Sequence, residues 1–418
     1  MLNQQKCVCL IKSYRVTAGP LSLALLCSVL SACASLTPPA SISTIEPAPE
    51  APATASLPPP PPPPPPPRSA PAPPPVSGGL PAEVAAQAGS TLVRVYYATD
   101  RQFQADKKNY SWQPNRKAPH LSYGSVLVSV PEDRKIGTVT KTPWWILGQG
   151  GDARKYMLIM DLERWSAARF FATVKTRLAA SLPPERRAAF IYIHGYYNAF
   201  DDAALRTAQM AVDLNVNAMP VFYSWPSKGE FTGYRFDDNS AQWTQAHLQN
   251  FLADFADRSD ATDIYIIAHS MGNRPTTMAL ANLLEKRPEL LPRFKQVVLA
   301  APDINADVFR EQIAPRLASL GLPVTLYASK NDMAMRLSYR YSGWDKIGDI
   351  RGPIVNIPGL DFIDASNVTM NFIGHDYLVS NRVVLTDVAT MIKAGLRAKD
   401  RGGLRGRPLP VPRYWEFP

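Results

Sequence analysis

The residues from Asp263 to Gly272 read Asp-Ile-Tyr-Ile-Ile-Ala-His-Ser-Met-Gly. A short β-branched apolar run predicts a buried strand, and small residues then predict a tight turn with Ser270 at its bend. A helical pattern follows from Met271 to about Lys286, with Pro275 in the first turn, where a backbone N–H is not needed. A serine carried on such a strand-to-helix turn can attack an acyl carbon, provided a base takes its proton and donors receive the negative oxygen that forms. The turn is tight, so the residues two before and two after the serine must be small; Ala268 and Gly272 stand there.

The chain has five histidines from which to choose the base. His120 precedes the main run of strands, His194 belongs to a turn of its own, His247 falls inside a helical stretch and His269 adjoins the serine. His375, in Gly374-His375-Asp376 after the last expected strand, remains as the candidate base. Asp332, after the strand Val324 to Ala328, is the preferred acid to orient that imidazole; Asp303 competes with it, and Asp364 is a weaker third candidate. The order Ser270, Asp332, His375 is that of a serine, acid, histidine triad. Tyr196 and Met271 are the expected backbone N–H donors for the oxyanion, one after the turn His194-Gly195 and one just after the serine.

These residues need a scaffold that brings distant segments to one edge. Alternation from Thr91 to Ala98 and Ser125 to Val130 predicts two strands, and Met157 to Ala180 reads as helical. Further strands are expected at Ala189 to Ile193, Pro220 to Ser224, Asp263 to Ala268, Gln296 to Ala301, Val324 to Ala328 and Ile354 to Ile357, with helix-length segments between them. That alternation implies an α/β fold with a mainly parallel sheet and helices on both faces, whose chemistry gathers at the carboxyl ends of the strands. Trp225 and the aromatics up to Tyr234 are candidates for lining an acyl or leaving-group pocket and equally for a structural role, and whether Trp225 to Ala246 forms a lid stays open. Spacing for a zinc site or a phosphate loop is missing from the sequence, so no metal or cofactor is expected.

Residues 1–32 carry Lys6, Lys12 and Arg15 ahead of an apolar stretch from Leu21 to Leu30, as a secretory signal does. The four cysteines are Cys7, Cys9, Cys27 and Cys33, and Leu30-Ser31-Ala32-Cys33 resembles the lipobox at which bacterial lipoproteins are acylated on the cysteine. Cys33 is thus the expected lipidation site and the membrane anchor, and Ala34 in place of Asp favours the outer membrane of the bacterial cell envelope. Residues 33–90 read as a proline-rich disordered tether; its ten consecutive prolines, Pro58 to Pro67, would span ~31 Å as polyproline II. Residues 91–396 are the expected folded domain and 397–418 a basic tail holding Arg397, Lys399, Arg401, Arg405, Arg407 and Arg413. Much of the net charge of +10 lies in the signal and this tail, which gives little support to nucleic acid as a partner.

Taken together, Tyr97-Ala98-Thr99-Asp100-Arg101, Val128-Ser129-Val130-Pro131, His194-Gly195-Tyr196, Ser224-Trp225-Pro226-Ser227, Ala268-His269-Ser270-Met271-Gly272-Asn273, Ala301-Pro302-Asp303 and Gly374-His375 resemble a bacterial α/β-hydrolase family, esterase- or lipase-like and named as a domain of unknown function. The resemblance covers about Leu92 to Ala394. It implies an α/β-hydrolase fold and serine hydrolysis without a cofactor, and leaves the substrate open; from the residues themselves, carboxylic esters of a small acyl molecule or a lipid are the first expectation, with amides and thioesters open to the same machinery. The alternative is an envelope lipoprotein that uses the same scaffold for binding alone.

Overall fold

The computed structural model describes residues 84–143, 151–181, 183, 186–351, 354, 357–368, 380–407 and 414–418, all within the unit Pro74–Pro418. Cys33, most of the tether and His375 lie outside the described residues. In chain order the strands are β1 Val84–Gln87, β2 Ser90–Thr99, β3 Arg101–Gln104, β4 Asn109–Pro114, β5 Ser122–Pro131, β6 Leu158–Trp165, β7 Ala188–Ile193 and β8 Met219–Ser224. They continue with β9 Asp263–His269, β10 Phe294–Ala300, β11 Val324–Ala328, β12 Leu360–Asp364, β13 Arg405–Arg407 and β14 Tyr414–Glu416. The helices are α1 Ala167–Ser181, α2 Phe200–Leu214, α3 Tyr234–Trp243, α4 Gln245–Arg258, α5 Asn273–Lys286, α6 Ala306–Val308, α7 Ala314–Ser319, α8 Met333–Ser342 and α9 Arg382–Ala394.

One large sheet runs β13-β14-β12-β11-β10-β9-β7-β8-β2-β5-β6, with β1 on β2 and the hairpin β3-β4 apart. From β14 to β2 every pairing is parallel, and antiparallel strands finish both edges. The central strands are apolar on both sides because both sides are covered. Ala189, Ile191 and Ile193 of β7 pack with Leu248, Phe251 and Phe255 of α4, while Phe190 and Tyr192 pack with Phe200, Ala204 and Ala208 of α2. Each such large side chain, fully buried, contributes about 1.5–3 kcal/mol. The mainly parallel α/β architecture is therefore as the alternation of elements implies.

Register aligns the carboxyl ends. Ile193 pairs with Ala268, His269 with Ala300, Ala300 with Tyr327 and Tyr327 with Ile363. The residues that leave these strands, His194, Ser270, Asp303 and Asp332 among them, accordingly share one edge of the sheet.

Three expectations need correction. The stretch Met157 to Ala180 is not one helix: Leu158–Trp165 is an edge strand paired with β5, and the helix begins at Ala167. Leu158, Leu162 and Trp165 mimic helical spacing because an edge strand with one side in water tolerates Asp161, Glu163 and Arg164 between them. Ser166 marks the break, its Oγ accepting the Arg169 N–H. Ile354 and Ile357, the described ends of another expected strand, pack against the core outside any strand, and among the described residues the last strand before α9 is Leu360–Asp364, starting after Gly359 at φ +91°. The basic tail is largely part of the domain. Arg397 pairs with Asp361, buried Arg401 with Asp387, and β14 extends the sheet alongside β12.

Candidate active site

Ser270 is the point where β9 stops and a single 3₁₀ turn, Ser270–Gly272, leads into α5. Its φ is +53°, the left-handed region that a serine occupies only when its surroundings hold it there. Those surroundings are specific. Asn273 Nδ2 donates to the carbonyls of Ser270 at 2.8 Å and Ala300 at 3.1 Å, and Asp303 N–H also donates to Ser270 O. Gly272 has to be glycine, because a Cβ there would sit 2.2 Å from the His194 carbonyl oxygen. The expected Ser270 elbow is thus present, with Ala268 packed in the core on the strand side.

The turn after β7 lies against this elbow: a Cβ on Gly195 would be 2.7 Å from Ser270 Cβ. In that turn Tyr197 N–H donates to Asp237 and Asn198 N–H to Ser227 Oγ, whereas among the described residues no acceptor takes the Tyr196 N–H. Tyr196 and Met271 therefore flank Ser270 on the two segments where the sequence places oxyanion donors.

The turn is held from beneath by Arg101 and Asp237, which pattern reading did not single out as functional, and by Trp225. Arg101, buried where the chain leaves β2, donates through Nε to Ser224 Oγ at 2.8 Å and through its terminal nitrogens to the carbonyls of Ser227 at 2.9 Å and Asn198 at 2.8 Å. Burial lowers its pKa to about 10, against the opposing pull of Asp237 and Asp100. Asp237 receives Ser227 Oγ, Lys228 N–H and Tyr197 N–H, and burial raises its pKa. Trp225 is fully buried, stacked on His194 with ring centroids 4.9 Å apart, and its Nε1 donates to the His194 carbonyl. It is a prop for the turn, not part of a pocket wall. The one signal for Arg101 was a charged pair, Asp100-Arg101, closing an apolar strand; Asn198, Ser224 and Ser227 lie 97 to 126 residues away and leave no local trace.

The histidines separate. His194 is buried, with Nδ1 on Gly195 O at 2.8 Å and Nε2 near Trp225 O at 3.1 Å; burial first, then Arg101, push its pKa well below 6.5, so it stays neutral. His247 pairs with buried Asp100 at 3.0 Å and stacks on His120. That pair lines a cavity of about 710 Å³ with Tyr123, Trp165 and Asp254, to which Ser270 does not contribute. His375 is not among the described residues, so its place relative to Ser270 is not part of this geometry.

The two candidate acids have different surroundings. Asp303 is buried between two cations and two hydroxyls: Arg274 at 3.0 Å and Tyr234 at 3.1 Å on Oδ2, Lys346 at 3.4 Å and Ser338 at 2.7 Å on Oδ1. Burial alone would raise its pKa; Arg274 and Lys346 outweigh that and hold it below the usual carboxylate value. Asp332 is buried at the start of α8, where Oδ1 caps the helix by accepting the Ala334 and Met335 N–H groups at 3.0 and 3.1 Å. Asp364, at the end of β12, accepts the Ser366 N–H. Among the described residues, no group of three or more His, Cys, Asp or Glu is placed to hold a metal ion.

Comparison with known proteins returns one family and a set of remote solved structures. Residues 171–394, more than half of the chain, match the family described as "Alpha/beta hydrolase of unknown function (DUF900)". A predicted CIB-like hydrolase from Thermoplasma acidophilum aligns at 15% identity and TM-score 0.31, covering 51% of this chain and 90% of that one. The carboxylesterase CesB from Bacillus subtilis aligns at 12% and 0.31, covering 51% and 86%, and an esterase from Pyrobaculum calidifontis at 16% and 0.27, covering 51% and 78%. No curated protein matches. The mainly parallel, helix-covered sheet is an α/β-hydrolase fold, and the chain belongs to the alpha/beta hydrolase family of unknown function DUF900.

Proposed function

We propose that this protein is a serine hydrolase of the bacterial cell envelope that acts on acyl substrates, carboxylic esters first among them. The observation that supports it most is the conformation of Ser270, a serine held at φ +53° between a parallel strand and a helix, with Gly195 and Gly272 clearing space around it. In this reading Ser270 Oγ attacks the acyl carbon and passes its proton to His375 as the new C–O bond forms. The carbonyl oxygen takes the negative charge and is received by the N–H groups of Tyr196 and Met271. Collapse breaks the bond to the leaving alcohol, which takes the proton from His375; water then repeats the sequence and releases the acid. Asp332 orients His375 and stabilises its imidazolium, while Asp303, already ion-paired to Arg274 and Lys346, is a structural carboxylate. Lipidated Cys33 tethers the domain to the outer membrane through the proline-rich segment.

The test is hydrolysis of a short-chain nitrophenyl ester across pH. Activity that falls on the acid side as an imidazole is protonated, and that is lost in both Ser270→Ala and His375→Ala, agrees with the proposal. A rate indifferent to His375→Ala, or a profile without that acid limb, contradicts the assignment of the base.

A further inference from the structure

Asp332 is the N-cap of α8, so the proposed acid and this helix adjoin. Its turns present Met333, Arg336, Leu337, Arg340 and Tyr341 at helical spacing of three and four, followed by Trp344 beyond the glycine cap. Met333 is 49% exposed and Tyr341 and Trp344 are each 58% exposed, a large apolar surface for one ten-residue helix and its exit. Among the described residues no carboxylate pairs with Arg336 or Arg340, and Asp345 is the exposed acid beside Trp344.

The surface is continuous with the elbow. Tyr341 stacks on Tyr234 at 5.5 Å, Tyr234 meets Tyr196 edge-on at 5.5 Å, and Tyr196 hydroxyl bonds the carbonyl of Phe231, itself 56% exposed. One strip thus runs from the helix capped by Asp332 to the turn carrying Tyr196. Exposed Trp and Tyr beside the exposed Arg340 match the headgroup region of an anionic bilayer, where aromatic rings sit at the interface and cations meet phosphates. The sequence places 50 residues between Cys33 and Val84, enough chain for the domain to reach a bilayer that an acylated Cys33 would occupy.

We propose that this strip, centred on Arg340, Tyr341 and Trp344, is a docking surface for an anionic phospholipid bilayer, so that the acyl groups offered to Ser270 are those of membrane lipids. The proposal rests on the serine-hydrolase reading for its substrate, and on the surface together with the proposed lipid anchor for its docking. The experiment places the full-length anchored protein on phosphatidylcholine vesicles with and without phosphatidylglycerol, both carrying bromine in mid-chain, and follows tryptophan fluorescence. Bromolipid is expected to quench a share of the emission in the anionic vesicles that Trp344→Phe removes. Arg340→Glu is expected to cut turnover of a vesicle-held long-chain ester by roughly tenfold, with a water-soluble short-chain ester changed by less than about twofold. Quenching that is unaffected by Trp344→Phe, or equal in neutral vesicles, overturns the proposal. So does a concentration-dependent dimer that Arg340→Glu dissociates, which would make the strip a contact between copies. Quenching needs no chemistry, so its persistence in a protein whose Ser270 resists fluorophosphonate would sink the hydrolase reading and leave the docking surface standing.

Discussion

Gly195 and Ser270 meet so closely that a single methyl on the glycine would lie 2.7 Å from the serine Cβ. The turn after β7 and the elbow after β9 are therefore one packed unit, and the position of Tyr196 follows from that of Ser270.

Gly195→Ala tests this contact. The added methyl has to displace Ser270 or the Tyr196 turn, so acylation should slow by about tenfold or more while stability falls by roughly 1–3 kcal/mol. Gly272→Ala should be worse, because the obstructing atom is the His194 backbone oxygen at 2.2 Å, which has no freedom to turn aside. Labelling rates and melting temperatures of the two variants check the ranking.

Asp332→Asn and Asp303→Asn should separate activity from stability. Asn caps a helix as well as Asp does, so Asp332→Asn is expected to keep its melting temperature and lose roughly a thousandfold or more in rate. Asp303→Asn leaves buried Lys346 without its counter-charge and Arg274 with Asp238 alone, and should cost about 3–5 kcal/mol. The opposite pattern would give Asp303 the role assigned here to Asp332.

Much of this was legible in the sequence, for a physical reason. A strand buried on both faces must be continuously apolar, so β7, β8, β9, β10 and β11 stand out, and Ser270 on its turn stands out with them. Where burial is one-sided the pattern fails: β6 reads as helix because its outer face is free to carry charge. That the tail belongs to the domain was not legible, because Arg397 and Arg401 meet their partners, Asp361 and Asp387, only when the fold brings them alongside. Arg101 was invisible as a prop for the same reason, its acceptors coming from two distant segments, Asn198 and Ser224 to Ser227.

Removing the tail should therefore cost stability. A chain ending at Gly395 loses the Arg397–Asp361 and Arg401–Asp387 pairs and the buried Phe417, and leaves Asp387 and Tyr327 facing the gap. The expected loss is about 3 kcal/mol or more, read by urea unfolding.

His194 predicts a pH dependence of folding. Its pKa in the folded protein is well below the 6.5 of the unfolded chain, so below 6.5 the unfolded state binds a proton that the native state refuses. Stability should fall as pH drops from 6.5 toward the native pKa, by up to ~1.4 kcal/mol per pH unit from this group. Imidazole NMR should show His194 neutral at pH 6, and His194→Gln should flatten the slope of unfolding free energy between pH 7 and 6.

The central claim is that Ser270 is an activated nucleophile. Fluorophosphonate treatment of the folded protein, read by intact mass beside Ser270→Ala, tests it directly. A single adduct that disappears in the variant is the predicted result. Folded protein that takes up no adduct, or that takes it up equally in Ser270→Ala, would contradict the account and leave the scaffold as a binding module.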